Sequence, residues 1–197
     1  MRSYVSPVRA AAAADKREAV VRAAVALLRG AQDLSGFSLE AVARAAGVTR
    51  LTVYKQFGSR RGLLEAVFDA CAAQAGLERL AGVMAQADPR AALSGVIDVF
   101  CDFWTEPAVV RLHQAGVLDA ELAQALAARG ERRRRALTVI VGRAAPEAGD
   151  RAWRDTIDLL FGLTGSAMFE ALAAGRTRVE AADIVKAAAL AALDRLN

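Results

Sequence analysis

Side chains that can bind nucleic acid are concentrated in residues 49–55 of this 197-residue chain. The donors and acceptors of this short helical segment are Arg50, Thr52, Tyr54 and Lys55. Such side chains can hydrogen-bond the edges of DNA bases or the backbone phosphates. We therefore expect the segment to enter the major groove of double-stranded DNA.

The segment is the second half of a two-helix pattern over residues 38–57, which reads SLEAVARAAGVTRLTVYKQF. Apolar residues recur at helical spacing on both sides of Gly47, the predicted hinge. Ser38 and Thr49 stand where the N-cap residues of two helices belong. Two capped helices in so short a span predict a helix-turn-helix, whose second helix reads DNA. The alternative is a structural corner in an unrelated helical protein.

The pattern and its flanks resemble the DNA-binding domain of the tetracycline-repressor (TetR) family of bacterial transcription regulators. The resemblance covers about the first third of the chain and is carried by KREAVVRAAVALLRG, AAGVT at 45–49, TVY at 52–54, Phe57, Ser59 and Leu63-Leu64. It implies base contacts from Thr49, Arg50, Leu51 and Thr52. It implies phosphate contacts from Ser38, Tyr54, Lys55, Ser59, Arg60 and Arg61. Because the family often carries an acid at the position of Arg61, this cation is either a small cost against the helix dipole or an extra phosphate contact.

Composition and charge agree with a helical protein that has one polyanion-binding end. Alanine, leucine and arginine dominate, aromatic residues make up 6%, and no alternating strand pattern occurs, so we predict an all-α fold. Residues 1–62 carry 11 Lys or Arg against 4 Asp or Glu, whereas the remainder carries 15 against 18. This asymmetry favours nucleic acid at the N-terminal end, although a membrane-surface head or a basic tail would show it too.

The two cysteines and the apolar runs indicate a cytoplasmic protein. Cys71 and Cys101 lie in apolar helical segments without metal-ligand spacing, so we expect buried, reduced thiols, with a redox pair as the alternative. The apolar run at 10–14 is too short for a signal peptide, and the longest uncharged run, 159–169, is too short to span a membrane. We predict no membrane association, metal or cofactor.

Helix start and stop signals divide the chain into three parts. Residues 1–14, with Arg2 and Arg9, are predicted to be a flexible arm, and Asp15 is the expected cap of the first helix. Residues 15–75 form the DNA-binding domain, which ends in a long connecting helix. Residues 76–197 form a larger body with helices near 90–104, 106–115, 119–144, 150–174 and 179–196. About nine helices result, the number that the resemblance also implies.

The last two predicted helices carry small and apolar residues that suit contact with a second copy of the chain. The residues predicted for this homodimer interface are Gly162, Ser166, Phe169, Val185, Ala189 and Leu193. The alternative is the ordinary core of a monomer. A dimer is favoured because two heads spaced by one turn of DNA bind with more affinity and specificity than one.

Aromatic and polarizable residues of the body could line a cavity for a small-molecule effector or simply fill the core. The predicted pocket residues are Met84, Phe100, Phe103, Trp104, His113, Arg129, Arg133 and Phe169. Residues 132–135 are four consecutive arginines, and because helical neighbours diverge by about 100°, they cannot all lie on one solvated face. We expect Arg129 or Arg133 to reach the cavity, where it pairs with Asp98 or Asp102 or receives an anionic ligand group. The alternative is a side chain that extends to the surface.

The resemblance and these patterns together imply a homodimeric repressor that binds a near-palindromic operator and leaves DNA when a small apolar or amphiphilic ligand binds. A DNA-binding regulator without a ligand, controlled by a partner or by abundance, is the alternative. An enzyme is not expected, because the chain has one histidine and no recognizable triad or metal cluster.

Overall fold

The computed structural model describes residues 7–30, 36–117 and 119–196, and all regular secondary structure in these ranges is helical. The predicted all-α fold is confirmed. The eleven helices of the described residues are α1 (Pro7–Gly30), α2 (Leu39–Ala45), α3 (Arg50–Phe57), α4 (Arg60–Gln74), α5 (Arg79–Met84), α6 (Pro89–Phe103), α7 (Pro107–Gly116), α8 (Ala120–Ala144), α9 (Asp150–Leu163), α10 (Ser166–Ala173) and α11 (Arg178–Asp194).

The first helix begins earlier than the sequence suggested. Helix α1 starts at Pro7, so Arg9 and the rest of residues 7–14 are helical rather than an arm, and Asp15 lies inside the helix instead of capping it. Proline suits the first position of a helix, and the following alanines have the highest helix propensity. Residues 1–6, including Arg2, lie outside the described residues.

Helices α1 to α3 and the start of α4 form a head around a helix-turn-helix. The hydroxyl oxygens of Ser38, Thr49 and Ser59 accept hydrogen bonds from backbone N–H groups at the starts of α2, α3 and α4, at 3.0–3.1 Å. Gly47, in the turn, has a φ of +66°, a conformation that favours glycine. The predicted caps and hinge therefore occupy the expected positions. The buried residues that join these helices include Val20, Leu28, Val42, Val53 and Leu63.

Helix α3 and the connecting helix α4 meet at a contact that only glycine fits. A Cβ atom on Gly62 would lie 2.1 Å from the carbonyl oxygen of Phe57, the last residue of α3. Such an approach is far inside van der Waals contact, so any larger side chain must push α3 and α4 apart. The absence of a side chain at position 62 thus sets how closely the two helices approach.

The body is built around α6, α8 and α11. Helix α6 packs against α5, α8 and α11, while α9 packs against α8 and α11. Helix α4 runs from the head into this body, where it packs against α7 and α8 as well as α1. The predicted connecting helix therefore contacts both parts of the molecule.

The described residues form two more helices than the nine that the sequence predicted, and both additional helices lie in the body. Helix α5 was not predicted, because residue Glu78 at its start makes no side-chain cap and the helix has only six residues. The segment 150–174 is divided at Thr164 and Gly165 into α9 and α10.

No single helix of the described ranges is long and apolar enough to cross a membrane. Helices α9 and α10 have the required length and hydropathy only when they are taken together, and a bend of 51° separates them.

Candidate functional site

The outer face of α3 presents the polar side chains that the sequence singled out for DNA. Arg50 and Lys55 are exposed, and Leu51 and Tyr54 expose 59% and 55% of their surface. Val53 is fully buried and fixes the opposite face of the helix to the head. The geometry therefore leaves one side of α3 free for a partner.

Two of the predicted base-contacting residues also hold the helix start together. The Thr49 hydroxyl oxygen accepts a hydrogen bond from the Thr52 N–H and lies 2.9 Å from the Thr52 hydroxyl oxygen. Both hydroxyls are thus oriented by the first turn of α3. Ser38 and Ser59 are exposed caps of α2 and α4, where helix N-termini attract phosphate groups.

Arg60 and Arg61 contact the body instead of standing free on the head. Arg60 forms an ion pair with Asp119, the N-cap of α8. Arg61 Nε donates to Glu65 at 2.9 Å, and its Nη1 donates to Gln124 of α8 at 3.3 Å. Glu65 thus offsets the unfavourable position of Arg61 near the helix start, and both arginines join the head to α8.

The described head has other cations whose roles the sequence did not distinguish. Arg17 donates to the Gln56 carbonyl oxygen at 2.8 Å and covers the Phe57 ring, so it holds α1 against α3. Arg44 of α2 is exposed, and its side chain makes no hydrogen bond or ion pair with the described residues. It is a further candidate for a phosphate contact, because it lies in the helix-turn-helix itself.

A cavity of about 680 Å³ lies in the body and is lined by residues of helices α4 to α10. Its volume falls within the range of roughly 300–1,000 Å³ that is usual for small-molecule sites. Six of the predicted pocket residues line it: Phe100, Phe103, Trp104, His113, Arg129 and Arg133. Met84 and Phe169 do not: Met84 is half-buried on α5, and Phe169 is buried in the core on α10.

Arg133 reaches the cavity, as the sequence analysis expected of either Arg129 or Arg133. Its Nη1 donates to the Thr164 carbonyl oxygen at 2.9 Å, its Nη2 donates to the Phe161 carbonyl oxygen at 3.4 Å, and its guanidinium carbon lies 4.3 Å from the centre of the Phe161 ring. Burial lowers the pKa of Arg133 to about 10, and the neighbouring Arg134 cation acts in the same direction. The side chain is therefore still charged at neutral pH.

The predicted pairing of this arginine with a buried acid is wrong. Asp98 pairs with Lys186 at 2.7 Å, and Asp102 pairs with Arg79 and Arg178. Both acids lie on α6 and face α5 and α11 rather than α8, so they are out of reach.

Arg129 also lines the cavity but is neutralised. Its Nη2 lies 2.8 Å from the Asp69 carboxylate and donates to the Glu65 carbonyl oxygen at 3.2 Å, while its guanidinium carbon lies 4.7 Å from the centre of the Phe68 ring. Asp69, Glu65 and Phe68 all belong to α4. Arg129 therefore fastens α8 to the connecting helix.

His113 closes the aromatic wall of the cavity. Its ring centre lies 4.7 Å from that of Trp104, and its Nδ1 lies 3.0 Å from the Val109 carbonyl oxygen, which requires a proton on Nδ1. Desolvation, with a smaller contribution from Arg133, lowers the pKa of His113, so the ring is neutral near pH 7.

Groups of three or more potential metal ligands do not occur among the described side chains.

Phe161 and the loop before α10 belong to the cavity, which sequence analysis missed. Phe161, Gly162, Gly165 and Ser166 all line it. The pair Thr164-Gly165 was the available signal, because hydroxyl and glycine residues together favour a break between helices. The sequence instead predicts Gly162 and Ser166 for the dimer interface.

The predicted dimer interface is wrong for four of its six residues. Phe169, Val185, Ala189 and Leu193 expose at most 8% of their surface, because they pack inside the protomer. Gly162 is exposed and Ser166 is half-buried, beside the cavity. The apolar residues that α9 and α11 do expose are Ala152, Leu159, Val179, Ile184, Ala187, Ala188 and Ala191.

Comparison with known proteins identifies the head and the overall architecture. Residues 20–67 match the family described as bacterial regulatory proteins, tetR family. A TetR transcription regulator from Haloarcula marismortui is similar in structure, with a TM-score of 0.70 and 15% identity over 93% of this chain and 98% of that one. No protein of curated function matches the sequence significantly.

Two further similar structures contain small organic molecules. The TetR-like regulator LfrR from Mycobacterium smegmatis, in complex with proflavine, is 25% identical over 92% of this chain and 97% of its own, with a TM-score of 0.53. A candidate transcriptional regulator from Saccharomonospora viridis, in complex with choline, is 12% identical over 87% and 94%, with a TM-score of 0.66.

Proposed function

Because this chain belongs, through its N-terminal domain, to the tetR family of bacterial regulatory proteins, we propose that it is a homodimeric, ligand-released transcriptional repressor. Two heads would bind the half-sites of a near-palindromic operator, and a small apolar or amphiphilic ligand would release them. The proposal includes a cytoplasmic location and no enzymatic activity. The observation that carries it is the cavity of about 680 Å³, whose wall includes the same helix α4 that begins at the recognition helix.

Contact with DNA would come from the free side of α3. Arg50 can bind guanine with two hydrogen bonds, and the exposed Leu51 can contact a thymine methyl group. Tyr54 and Lys55 would hold phosphates, joined by the helix starts at Ser38 and Ser59 and by Arg44 of α2. Arg60 and Arg61 support the orientation of the head through α8 in this proposal, rather than serving chiefly as phosphate contacts.

The second copy would pack on the exposed apolar stripe of α9 and α11. Ile184, Ala188 and Ala191 recur at helical spacing on one side of α11, and Leu159 and Gly162 do so on α9. Two such helices from each protomer can form a four-helix interface. The stripe lies on the outer side of helices whose inner side packs on α6 and α8.

Transmission from cavity to head would run through α4. A ligand would press on Phe68 and Ala72, which line the cavity from α4. Arg129 ties this helix to α8, and the Gly62 contact ties it to α3. A shift of α4 would therefore change the spacing of the two recognition helices, and a ligand that prefers the shifted state would weaken DNA binding.

The alternative function is a DNA-binding regulator without a small-molecule ligand. The cavity and the ligand complexes of two similar proteins favour the ligand-released form.

The proposal is tested by binding of the purified protein to labelled DNA from its own gene neighbourhood, with and without a panel of apolar and amphiphilic compounds. We expect at least one compound to raise the melting temperature and release the DNA. Arg50→Ala should weaken specific binding by about 1–3 kcal/mol and relax the preference for one base pair, whereas Lys55→Ala should mainly reduce the salt dependence. Arg90→Ala, at the start of α6, is the matched control.

The possible outcomes separate the two functions. DNA binding that no compound alters would favour the ligand-free regulator. Unchanged sequence preference in Arg50→Ala would refute the base assignment, and the absence of any DNA binding would refute both functions.

A further inference from the structure

The body cavity contains a cation that has no acidic partner among the described residues. The acidic residues that line the cavity are Asp69 and Glu131, and each has another partner: Asp69 pairs with Arg129 at 2.8 Å, and Glu131 pairs with Arg134 at 3.6 Å. Among the described residues, the Arg133 guanidinium donates to carbonyl oxygens and lies over aromatic rings, and it forms no ion pair. A partly buried full charge that meets only partial charges is poorly compensated.

Arg133 also retains unused hydrogen-bond donors. A guanidinium has five N–H donors in a planar fork. The Thr164 and Phe161 carbonyl oxygens accept two of them, and the buried Nε has no hydrogen-bond partner in the described ranges. A carboxylate can accept two parallel hydrogen bonds from such a fork and supplies the missing negative charge. The arginine therefore retains donors for an acid that enters the cavity.

We propose that the cavity ligand is a small organic carboxylate with an apolar body, whose acid group binds Arg133. This inference rests on the proposed function, because it assumes that the effector enters the body cavity. The apolar part of the lining includes the rings of Phe68, Phe103 and Trp104 and the side chains of Leu77, Leu80 and Leu126. They cover a hydrocarbon or aromatic skeleton but offer little to a second charged group.

A cationic ligand does not fit this arrangement. Aromatic rings attract ammonium groups, but the guanidinium of Arg133 already lies against Phe161, Phe100 and Trp104, at 4.3, 5.4 and 5.7 Å from the ring centres. A second cation there would meet like charge in a poorly hydrated site. The protein's own arginine thus excludes the ligand class that such rings would otherwise favour.

The acid would act on the break between α9 and α10. A carboxylate that pulls Arg133 toward itself competes with the Phe161 and Thr164 carbonyl oxygens, which lie at the end of α9. Helix α9 also carries part of the proposed dimer stripe. Binding of the acid would therefore weaken the hydrogen bonds from Arg133 of α8 to the end of α9, a helix that would also contact the second protomer.

The experiment uses two sets of compounds that share a skeleton and differ only in the polar group. They are decanoate, decanol and decylammonium, and 2-naphthoate, 2-naphthalenemethanol and 2-naphthylmethylammonium. Calorimetric titration gives each Kd, and labelled DNA reports release. We expect a carboxylate of at least one set to bind roughly 10- to 100-fold more tightly than its alcohol, and its ammonium not to bind.

Variants locate the effect. Arg133→Met should remove the preference for the carboxylate, Arg133→Lys should keep part of it, and Arg132→Met, on the exposed rim of the cavity, should keep all of it. The wild-type comparison remains decisive even where a variant fails to fold.

The inference fails if alcohols or ammonium compounds bind as tightly as the carboxylates in both sets, or if no carboxylate binds. Release of DNA by an alcohol or ammonium compound would then leave the proposed function intact. The inference also fails if Arg133→Met keeps the carboxylate preference.

Discussion

Arg60 and Asp119, which are 59 residues apart in the chain, form an ion pair between the first turn of α4 and the start of α8. The same carboxylate caps α8 by accepting a hydrogen bond from the Leu122 N–H at 3.0 Å. One side chain of the body thus holds both its own helix start and a cation of the head. The pair lies on the path that we propose between ligand and DNA.

We expect Arg60→Gln and Asp119→Asn to raise the ligand concentration needed for release while changing operator affinity by less than about fivefold, since such a half-exposed pair contributes about 0.2–1 kcal/mol. Asparagine still caps a helix, so Asp119→Asn removes mainly the charge. Fluorescence anisotropy of labelled DNA in a ligand titration measures both quantities. A large loss of affinity in Arg60→Gln alone would instead make Arg60 the phosphate contact that the sequence suggested.

Gly62→Ala should destabilise the protein by about 3 kcal/mol, because the new Cβ would lie 2.1 Å from the Phe57 carbonyl oxygen. Gly142→Ala is the matched control: Gly142 lies inside α8 with open space at its Cβ position, so alanine should stabilise by up to about 1 kcal/mol. Urea denaturation of both variants gives the free energies of unfolding. Equal stability of the two variants would show that α3 and α4 can separate freely.

The two thiols should make stability fall at high pH. Burial raises the pKa of both Cys71 and Cys101 from 9.0 to about 11. A group whose pKa is raised in the folded state stabilises that state fully below pH 9 and loses the contribution between pH 9 and 11. The loss should be on the order of 2 kcal/mol per thiol.

Urea unfolding at several pH values, compared with the double variant Cys71→Ala, Cys101→Ala, measures this contribution. The difference cancels the ionisation of other groups. A wild-type curve parallel to that of the double variant between pH 8 and 11 would contradict the prediction.

Charge on the outer stripe of α9 and α11 should abolish the dimer. Leu159→Arg and Ile184→Arg together would place four cations in the proposed interface, and a charge buried without a partner is strongly unfavourable. We expect sedimentation to give a mass near 20.7 kDa for this variant and about twice that value for the wild type. Val139→Arg, equally exposed on α8, should remain a dimer. A dimeric double variant would place the interface elsewhere.

The sequence predicted the head well because its signals are local. Ser38, Thr49 and Ser59 act as caps, and Gly47 takes the positive φ expected of a hinge, since each depends only on neighbours in the chain. The aromatic run at 100–104 was also placed in a cavity wall, because large rings on adjacent turns of one buried helix share a neighbourhood.

The outward-facing side of α11 could not be predicted in the same way. Helix α11 carries alanine on every side, so its hydrophobic periodicity does not distinguish the inner side, with Val185 and Ala189, from the outer side, with Ile184 and Ala188. The hydrogen-bond partners of Arg133 could not be predicted either. They are the carbonyl oxygens of Phe161 and Thr164, which come within reach only because the helix breaks at Thr164.

The indole Nε1 of Trp104 donates to the Thr164 carbonyl oxygen at 2.9 Å, and the same oxygen accepts from Arg133. The chain has only one other tryptophan, Trp153 on α9. Replacement of Trp153 with phenylalanine would leave Trp104 as the one tryptophan, on the cavity wall and hydrogen-bonded to the carbonyl oxygen that a bound acid would disturb. The fluorescence emission of Trp104 in this variant would therefore report whether the cavity is occupied, without an added label and in the presence or absence of DNA.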